Sequence, residues 1–340
     1  MEHPLFLVTA KVGLSLVPVL LFLTGLMYLD SYKLVSLRSI LLTIGVGFLA
    51  AGVSLAVNRG FLTSVSADLT TYSRYGAPLV EETFKAAYLF YLLRAGKVGF
   101  MVDAAIQGFA LGAGFALVEN IYYLQSLNEA NLLVWIIRGF GTAVMHGGTT
   151  AILGIVSKNF SDVKNSVSPA IFLPGFVTAV FIHSLFNHFI LPPVTSTAII
   201  VVSLPALMIA AFAQSEKVTR EWLGVGFDND AEILTMITTG NIAQTRIGKY
   251  LDSVQSRFRG EVVADMLCYL RLYMELAIQA KGILMMRESG FSVDPDPTVK
   301  SKFDEMVFLE KSIGKTGRLA LSPFLHSSSR DLWQLHMLQS

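Results

Sequence analysis

Charge is scarce in this 340-residue sequence: 15% of it is Asp, Glu, Lys or Arg, against 53% hydrophobic residues and a mean hydropathy of +0.57. That shortage excludes a soluble domain of ordinary composition and leaves a polytopic membrane protein. Cysteine is nearly absent. With Cys268 alone, neither an intrachain disulfide nor a thiolate metal cluster can form, and the residue is expected to pack in a core. Basic runs and aromatic–basic interleaving are missing and the net charge is only +1, so nucleic acid is set aside as a partner. The opening MEHPLFLVTAKVGL has no basic n-region, and no small-residue cleavage site follows its apolar run. It reads as a retained helix rather than a signal peptide. No internal repeat is visible.

What the sequence does contain is apolar runs long enough to span a bilayer, about 17 to 25 residues each. Seven occur, near 5–29, 36–57, 76–93, 101–125, 131–156, 170–191 and 194–214, the last two parted by Leu191-Pro192-Pro193. Asn58 to Tyr75 is mixed in polarity and reads as a loop or a helix lying in the interface. From Ser215 onward charges recur every few residues, and Val262, Val263, Met266, Leu267, Leu270, Tyr273, Met274 and Ala277 fall at helical spacing. Breaks are expected at Gly224-Val-Gly226, Gly240-Asn241, Gly260 and Asp294 to Pro297. The expected fold is all-α: a membrane bundle of about seven spans over residues 1–214, with core motifs in 76–191, then a soluble helical domain over 215–340.

Lys and Arg in the short loops set the orientation. With the N-terminus outside, the cytoplasmic face receives Lys33, Arg38, Arg94, Lys97, Lys158, Lys164, Lys217 and Arg220, and the other face only Arg59 and Arg74. The C-terminal domain is then cytoplasmic, in a bacterial-type cytoplasmic membrane, and is a candidate to bind a cytoplasmic protein.

The polar residues of the spans are concentrated in the middle four. The third carries Glu81, Glu82 and Lys85, the fourth Glu119 and Asn120, the fifth Arg138 and His146, and the sixth His183, Asn187 and His188. Ionisable groups in hydrocarbon each cost at least about 2.5 to 3.5 kcal/mol, which makes them candidates for a functional site. At about 1.5 Å per residue, Glu81, Glu119, Asn187 and His183 fall about 6 to 12 Å below the outer face and His146 about 16 to 22 Å. One outward-opening polar chamber is expected, with the inner halves of these spans mostly apolar. His183 and Asn187 share a helix face, as do Glu81 and Lys85. Gly108, Gly112, Gly114, Gly139, Gly141, Gly147 and Gly148 allow the close helix approach that keeps lipid out.

Two carboxylates with two imidazoles suit hydrolysis, by a carboxylate base with histidine or asparagine at the oxyanion, or by a metal-bound water. The residues alone do not separate these modes. Lys85 and Arg138 read as charge partners. Glu119-Asn120 either lines the chamber or bridges helices, His188 faces the interface, and His3, His326 and His336 have no assigned role.

Four motifs in order, Glu81-Glu82-Thr-Phe-Lys85, Gly112-Ala-Gly-Phe115-Ala-Leu-Val-Glu119-Asn120, Arg138 with Met145-His146, and His183-Ser-Leu-Phe-Asn187, resemble those of the PrsW family of membrane-embedded proteases. That family is related to the CAAX prenyl endopeptidases and bacteriocin-processing enzymes. The resemblance covers roughly residues 35 to 215. It implies an intramembrane endopeptidase acting on membrane-anchored protein substrates, anti-sigma factors among them, in signalling. It also implies that Glu81 and Glu82 activate water, that His146 and His183 complete the site and that Asn187 stabilises the oxyanion, with Lys85, Glu119, Asn120 and Arg138 in support. The family is catalogued as metalloproteases, whereas the prenyl-endopeptidase relatives are glutamate-dependent without a catalytic metal. If an ion such as zinc is used, Glu82, His146 and His183 are its candidate ligands. The rival readings are a proton-coupled transporter with a Glu/His relay and a non-catalytic receptor or scaffold.

Overall fold

The computed structural model describes residues 4–65, 68–127, 131–255, 257–291, 293, 296–325 and 329–339. Its elements in order are α1 (Pro4–Leu29), α2 (Leu37–Val65), α3 (Leu69–Thr71), a π-helical turn (Tyr72–Gly76), α4 (Ala77–Arg94) and α5 (Met101–Ser126). There follow α6 (Leu132–Ile136), a second π-helical turn (Ile137–Ala143), α7 (Val144–Lys164), α8 (Pro169–Asn187) and α9 (Pro193–Thr238). A 3₁₀ turn (Asn241–Gln244) then leads to α10 (Arg246–Gln255), α11 (Gly260–Glu288), α12 (Thr298–Leu321) and α13 (Ser329–Gln339). The described residues contain no strand, and the protein is an all-α membrane helix bundle.

Six helical stretches are long and apolar enough to cross a membrane: α1, α2, α5, the α6–α7 run, α8 and α9. The remaining expected span, α4, is only 18 residues long and carries Glu81, Glu82, Lys85 and Arg94, which sets it apart by composition. It nevertheless packs inside the bundle, against α2, α8, α7 and α5. No helix that begins after α9 passes the same test among the described residues.

The chain divides into two compact units, Met1–Glu216 and Lys217–Ser340. In the first, α5 is the central helix, with every residue from Val102 to Ala116 buried. Small side chains make this possible. A Cβ on Gly112 would collide with the backbone carbonyl of His146 on α7, and one on Gly114 with that of Ile44 on α2. Backbone-to-backbone contact at these two points sets α7 and α2 against α5 and places His146 beside the end of α5 that carries Glu119.

Two long helices overrun their expected boundaries. α2 continues to Val65, so Asn58 belongs to a spanning helix and not to a loop. α9 runs through Gly224 and Gly226 without a break. Within the second unit, Gly226 lets the buried Lys281 side chain approach to within van der Waals contact, so its role there is close packing. Cys268, expected in a core, is exposed. It lies two residues from both Met266 and Leu270, which are buried on the opposite face of α11. The expected breaks at Gly240 (φ 75°) and at the start of α11 are present. Asp294 and Pro295, within the expected turn before α12, lie outside the described residues, as do His3 and His326. In the second unit α11 packs against α12, α13 and α10, and Lys281 pairs with the buried Asp230 while lying 5.1 Å over the Trp222 ring.

Gly112→Val or Gly114→Val is expected to cost about 1 to 3 kcal/mol by forcing helices apart, read as a lower unfolding temperature in detergent. Gly52→Ala, whose Cβ meets nothing within 4 Å, serves as the control and is expected to leave stability unchanged or raised.

Candidate active site

The π-helical turn before α4 explains how α8 is held in register. Its wider turn presents two carbonyls to α8: Arg74 O accepts from Ser184 Oγ at 2.6 Å, and Ser73 O from Asn187 Nδ2 at 2.9 Å. With α8 tied to the entrance of α4, His183 comes to lie against Glu82. Asn187, expected at the oxyanion, directs its amide into this tie. Ser184 O in turn accepts from His188 Nδ1 at 2.7 Å, and the His188 ring meets Tyr75 edge-on, away from Glu82.

Around Glu82 the groups form one connected set. Glu82 Oε1 accepts from Lys85 Nζ at 2.8 Å and from His183 Nδ1 at 2.9 Å. Lys85 Nζ also reaches His146 Nδ1 at 3.0 Å and lies 4.2 Å from the centre of the Phe115 ring. An ammonium only donates, so His146 Nδ1 accepts and its Nε2–H donates to Glu119 Oε2 at 2.8 Å. Glu119 Oε1 pairs with Arg138 at 3.3 Å. Arg138 donates from Nε to Asn120 Oδ1 at 3.0 Å and stacks 3.8 Å over Tyr123, while Asn120 Nδ2 donates to the carbonyl of Ser15 on α1 at 2.7 Å. Asn120 thus bridges helices, and Glu119 faces the histidines.

The two imidazoles meet edge to face with centroids 4.7 Å apart. Glu81 Oε2 stands 3.9 Å from His183 Nε2. Glu82 and Lys85 are fully buried, whereas the side chains of Glu81 and Glu119 retain 15% and 27% exposure, so the set opens at those two carboxylates. Residues from α4, α5, α7 and α8 converge as expected, and His146 reaches the others directly. The sequence reading missed Asn58 and Tyr72. Asn58 Nδ2 donates to Glu81 Oε1 at 3.4 Å, and the Tyr72 hydroxyl donates to Asn58 Oδ1 at 2.9 Å. A lone amide at the end of the second apolar run was the available signal.

The far half of the bundle is less apolar than expected. Asp103, Gln107, Thr43 and Lys158 are buried there; Gln107 accepts from Thr43 at 2.5 Å and donates to Ser39 at 2.6 Å. Asp103 caps the start of α5, accepting from Gly99 N and Phe100 N at 2.7 Å each. Between the two polar layers, α4, α5 and α7 supply the fully buried Leu89, Leu111 and Leu153.

A divalent metal has a donor set to meet. Glu81, His146 and His183 each offer a ligand atom within 4.8 Å of the others. His183 has the support that metal-bound histidines use, a carboxylate on its other nitrogen, and the His146–Glu119 pair repeats the pattern. Glu82, expected among the ligands, sits behind His183 and supports it. Glu81 Oε2 and His183 Nε2, 3.9 Å apart, would have to close by a few tenths of an ångström around one ion, and His146 Nδ1 is engaged by Lys85 Nζ at 3.0 Å.

Comparison with protein families places a match to the PrsW family intramembrane metalloproteases over residues 35–213. Comparison with curated proteins and with solved structures returns no match.

Lys85→Met leaves the Glu82 carboxylate buried without its cation. It is expected to destabilise the fold by about 3 to 5 kcal/mol, with most of the loss recovered in the Glu82→Gln/Lys85→Met double variant. Reversible unfolding in mixed micelles measures both.

Proposed function

This chain belongs to the PrsW family of intramembrane metalloproteases, and on that footing we propose that it hydrolyses membrane-anchored proteins at the Glu81–Glu82–His146–His183 cluster. It is an integral membrane peptidase, and its substrate is a membrane-embedded peptide beside lipid. The observation that carries the residue assignment is the hydrogen-bonded convergence of Glu82, Lys85, His183, His146 and Glu119 from four helices into one buried set.

The roles follow from what each atom already does. Glu82 Oε1 is committed to Lys85 and His183, whereas Oε2 is buried without a partner among the described residues. A buried acceptor left open is costly unless a partner arrives during function. We assign Glu82 Oε2 to the proton of the attacking water. As the water oxygen bonds to the scissile carbonyl carbon, its proton passes to Glu82, and the same proton goes to the amide nitrogen when the C–N bond breaks. Lys85 holds Glu82 in place through Oε1. Glu119 and Glu82 hold the two imidazoles in one tautomer each. Glu81, His183 and His146 are the residues that would hold a divalent ion such as zinc, which when bound polarises the scissile carbonyl. Asn187 moves from the oxyanion to a positioning role through Ser73.

The excess of Lys and Arg in one set of loops favours an outer-face site, with the N-terminus outside and residues after 216 in the cytoplasm, where that unit would meet a regulatory protein. Single-span anti-sigma-type proteins are the substrate class that suits such an arrangement, and signalling is the corresponding process.

New N-termini in membrane proteins from cells carrying the wild type or a Glu81→Gln, Glu82→Gln double variant, inserted equally, test this function. Peptides that vanish with the acids and map near the outer face of single-span proteins are expected. Coincident profiles under envelope stress would reject proteolysis at this cluster.

A further inference from the structure

From the geometry we propose that Asn58 is a positioning residue for Glu81 and that Tyr72 acts through it; the proposal rests on the reading of the cluster just given. Glu81 is the most weakly held acid of the set. Glu82 and Glu119 are each gripped by a cation and an imidazole, whereas Glu81 Oε2 stands 3.9 Å from His183 and its Oε1 is met by Asn58 Nδ2 at 3.4 Å. Asn58 turns Nδ2 toward Glu81 Oε1 and Oδ1 away from it. Oδ1 then receives the Tyr72 hydroxyl at 2.9 Å.

Tyr72 is itself placed by its surroundings. Its ring stacks on Phe61 of α2 with centroids 5.1 Å apart and is almost wholly buried. Gly76, closing the same π-helical turn, leaves the space the ring fills: a Cβ there would lie 2.5 Å from the ring carbons. The turn therefore has two products. Its carbonyls fix α8, and its first side chain fixes the amide that holds Glu81. Neither residue touches the reacting atoms. Their effect is to hold one Glu81 oxygen so that the other faces His183 Nε2, the orientation a ligand or a water-binding carboxylate needs.

The test uses the full chain in lipid nanodiscs with two probes: Co²⁺ alone, and a quenched fluorescent peptide of one apolar span with polar flanks. Asn58→Ala and the isosteric Asn58→Asp are expected to weaken Co²⁺ binding and lower kcat by about 10- to 100-fold, with KM within about twofold, as for other groups that orient a ligand. Tyr72→Phe is expected to lose less. The Asn58→Ala/Tyr72→Phe double variant should lose no more than Asn58→Ala alone. Multiplied losses in the double variant, or a lower unfolding temperature with kcat and Co²⁺ affinity unchanged, would overturn the assignment and leave a structural contact. A wild type that cleaves the peptide but binds no Co²⁺ removes the metal from the reading, and the kcat losses then decide the Asn58 role alone. A wild type that does neither rejects the reading of the cluster and this proposal with it.

Discussion

A lysine ammonium and a glutamate carboxylate, both fully buried and 2.8 Å apart, set the terms for the rest of the bundle. Neither charge is tolerable alone in hydrocarbon, and three of the neighbouring helices supply partners. α8 supplies His183 to Glu82, α7 supplies His146 to Lys85, and α5 supplies Phe115 as an apolar wall that accepts the cation on its face. The requirement then propagates outward. His146 needs an acceptor and finds Glu119, Glu119 needs a cation and finds Arg138, and Arg138 is fixed by Asn120, which is tied to α1. A protease that works on peptides in lipid must keep water and charge in a confined place. This chain of obligations builds such a place from single side chains on separate helices.

Two π-helical turns make the arrangement geometrically available. The first presents Ser73 O and Arg74 O to α8 and Tyr72 to Asn58. The second contains Arg138 and the close-packed Gly139 and Gly141, and leads directly into His146. Irregular helix in a membrane needs partners for the backbone groups it frees. At the first turn those partners are the Ser184 and Asn187 side chains, so a local departure from α geometry becomes a link between elements.

Much of this was legible before any coordinates. Long apolar runs fix α1 and α5 within a residue, because length and composition leave no other structure for them, and they find α8, which stops at Asn187 rather than at 191. The charged residues of α4, α5, α7 and α8 could be gathered by helix rise alone. What escaped was set by tertiary contact. Rise per residue placed His146 deeper than the others, and its carbonyl does lie against Gly112, seven residues before Glu119 on α5; what it left out is the reach of the side chains, which brings Nε2 to Glu119. The face shared by His183 and Asn187 was read correctly, yet a carbonyl on another element captured the amide. Gly226 looked like a break because sequence shows a missing side chain, while the lysine that uses the space is 55 positions later. Asn58 and Tyr72 were hidden for a similar reason: their partners are set by a turn with no sequence signature.

The central claim, that Glu82 at the heart of the buried set moves the proton in peptide hydrolysis, is tested most directly by single-turnover cleavage with purified full-length chain in nanodiscs. Glu82→Gln is compared with wild type on one membrane-spanning fluorogenic peptide at equal folded protein. A loss of the cleavage rate by about 100- to 10,000-fold, the scale for a general base, with unchanged peptide binding is the predicted result. A rate within about threefold of wild type would contradict the account and leave Glu82 a structural anchor for Lys85 and His183.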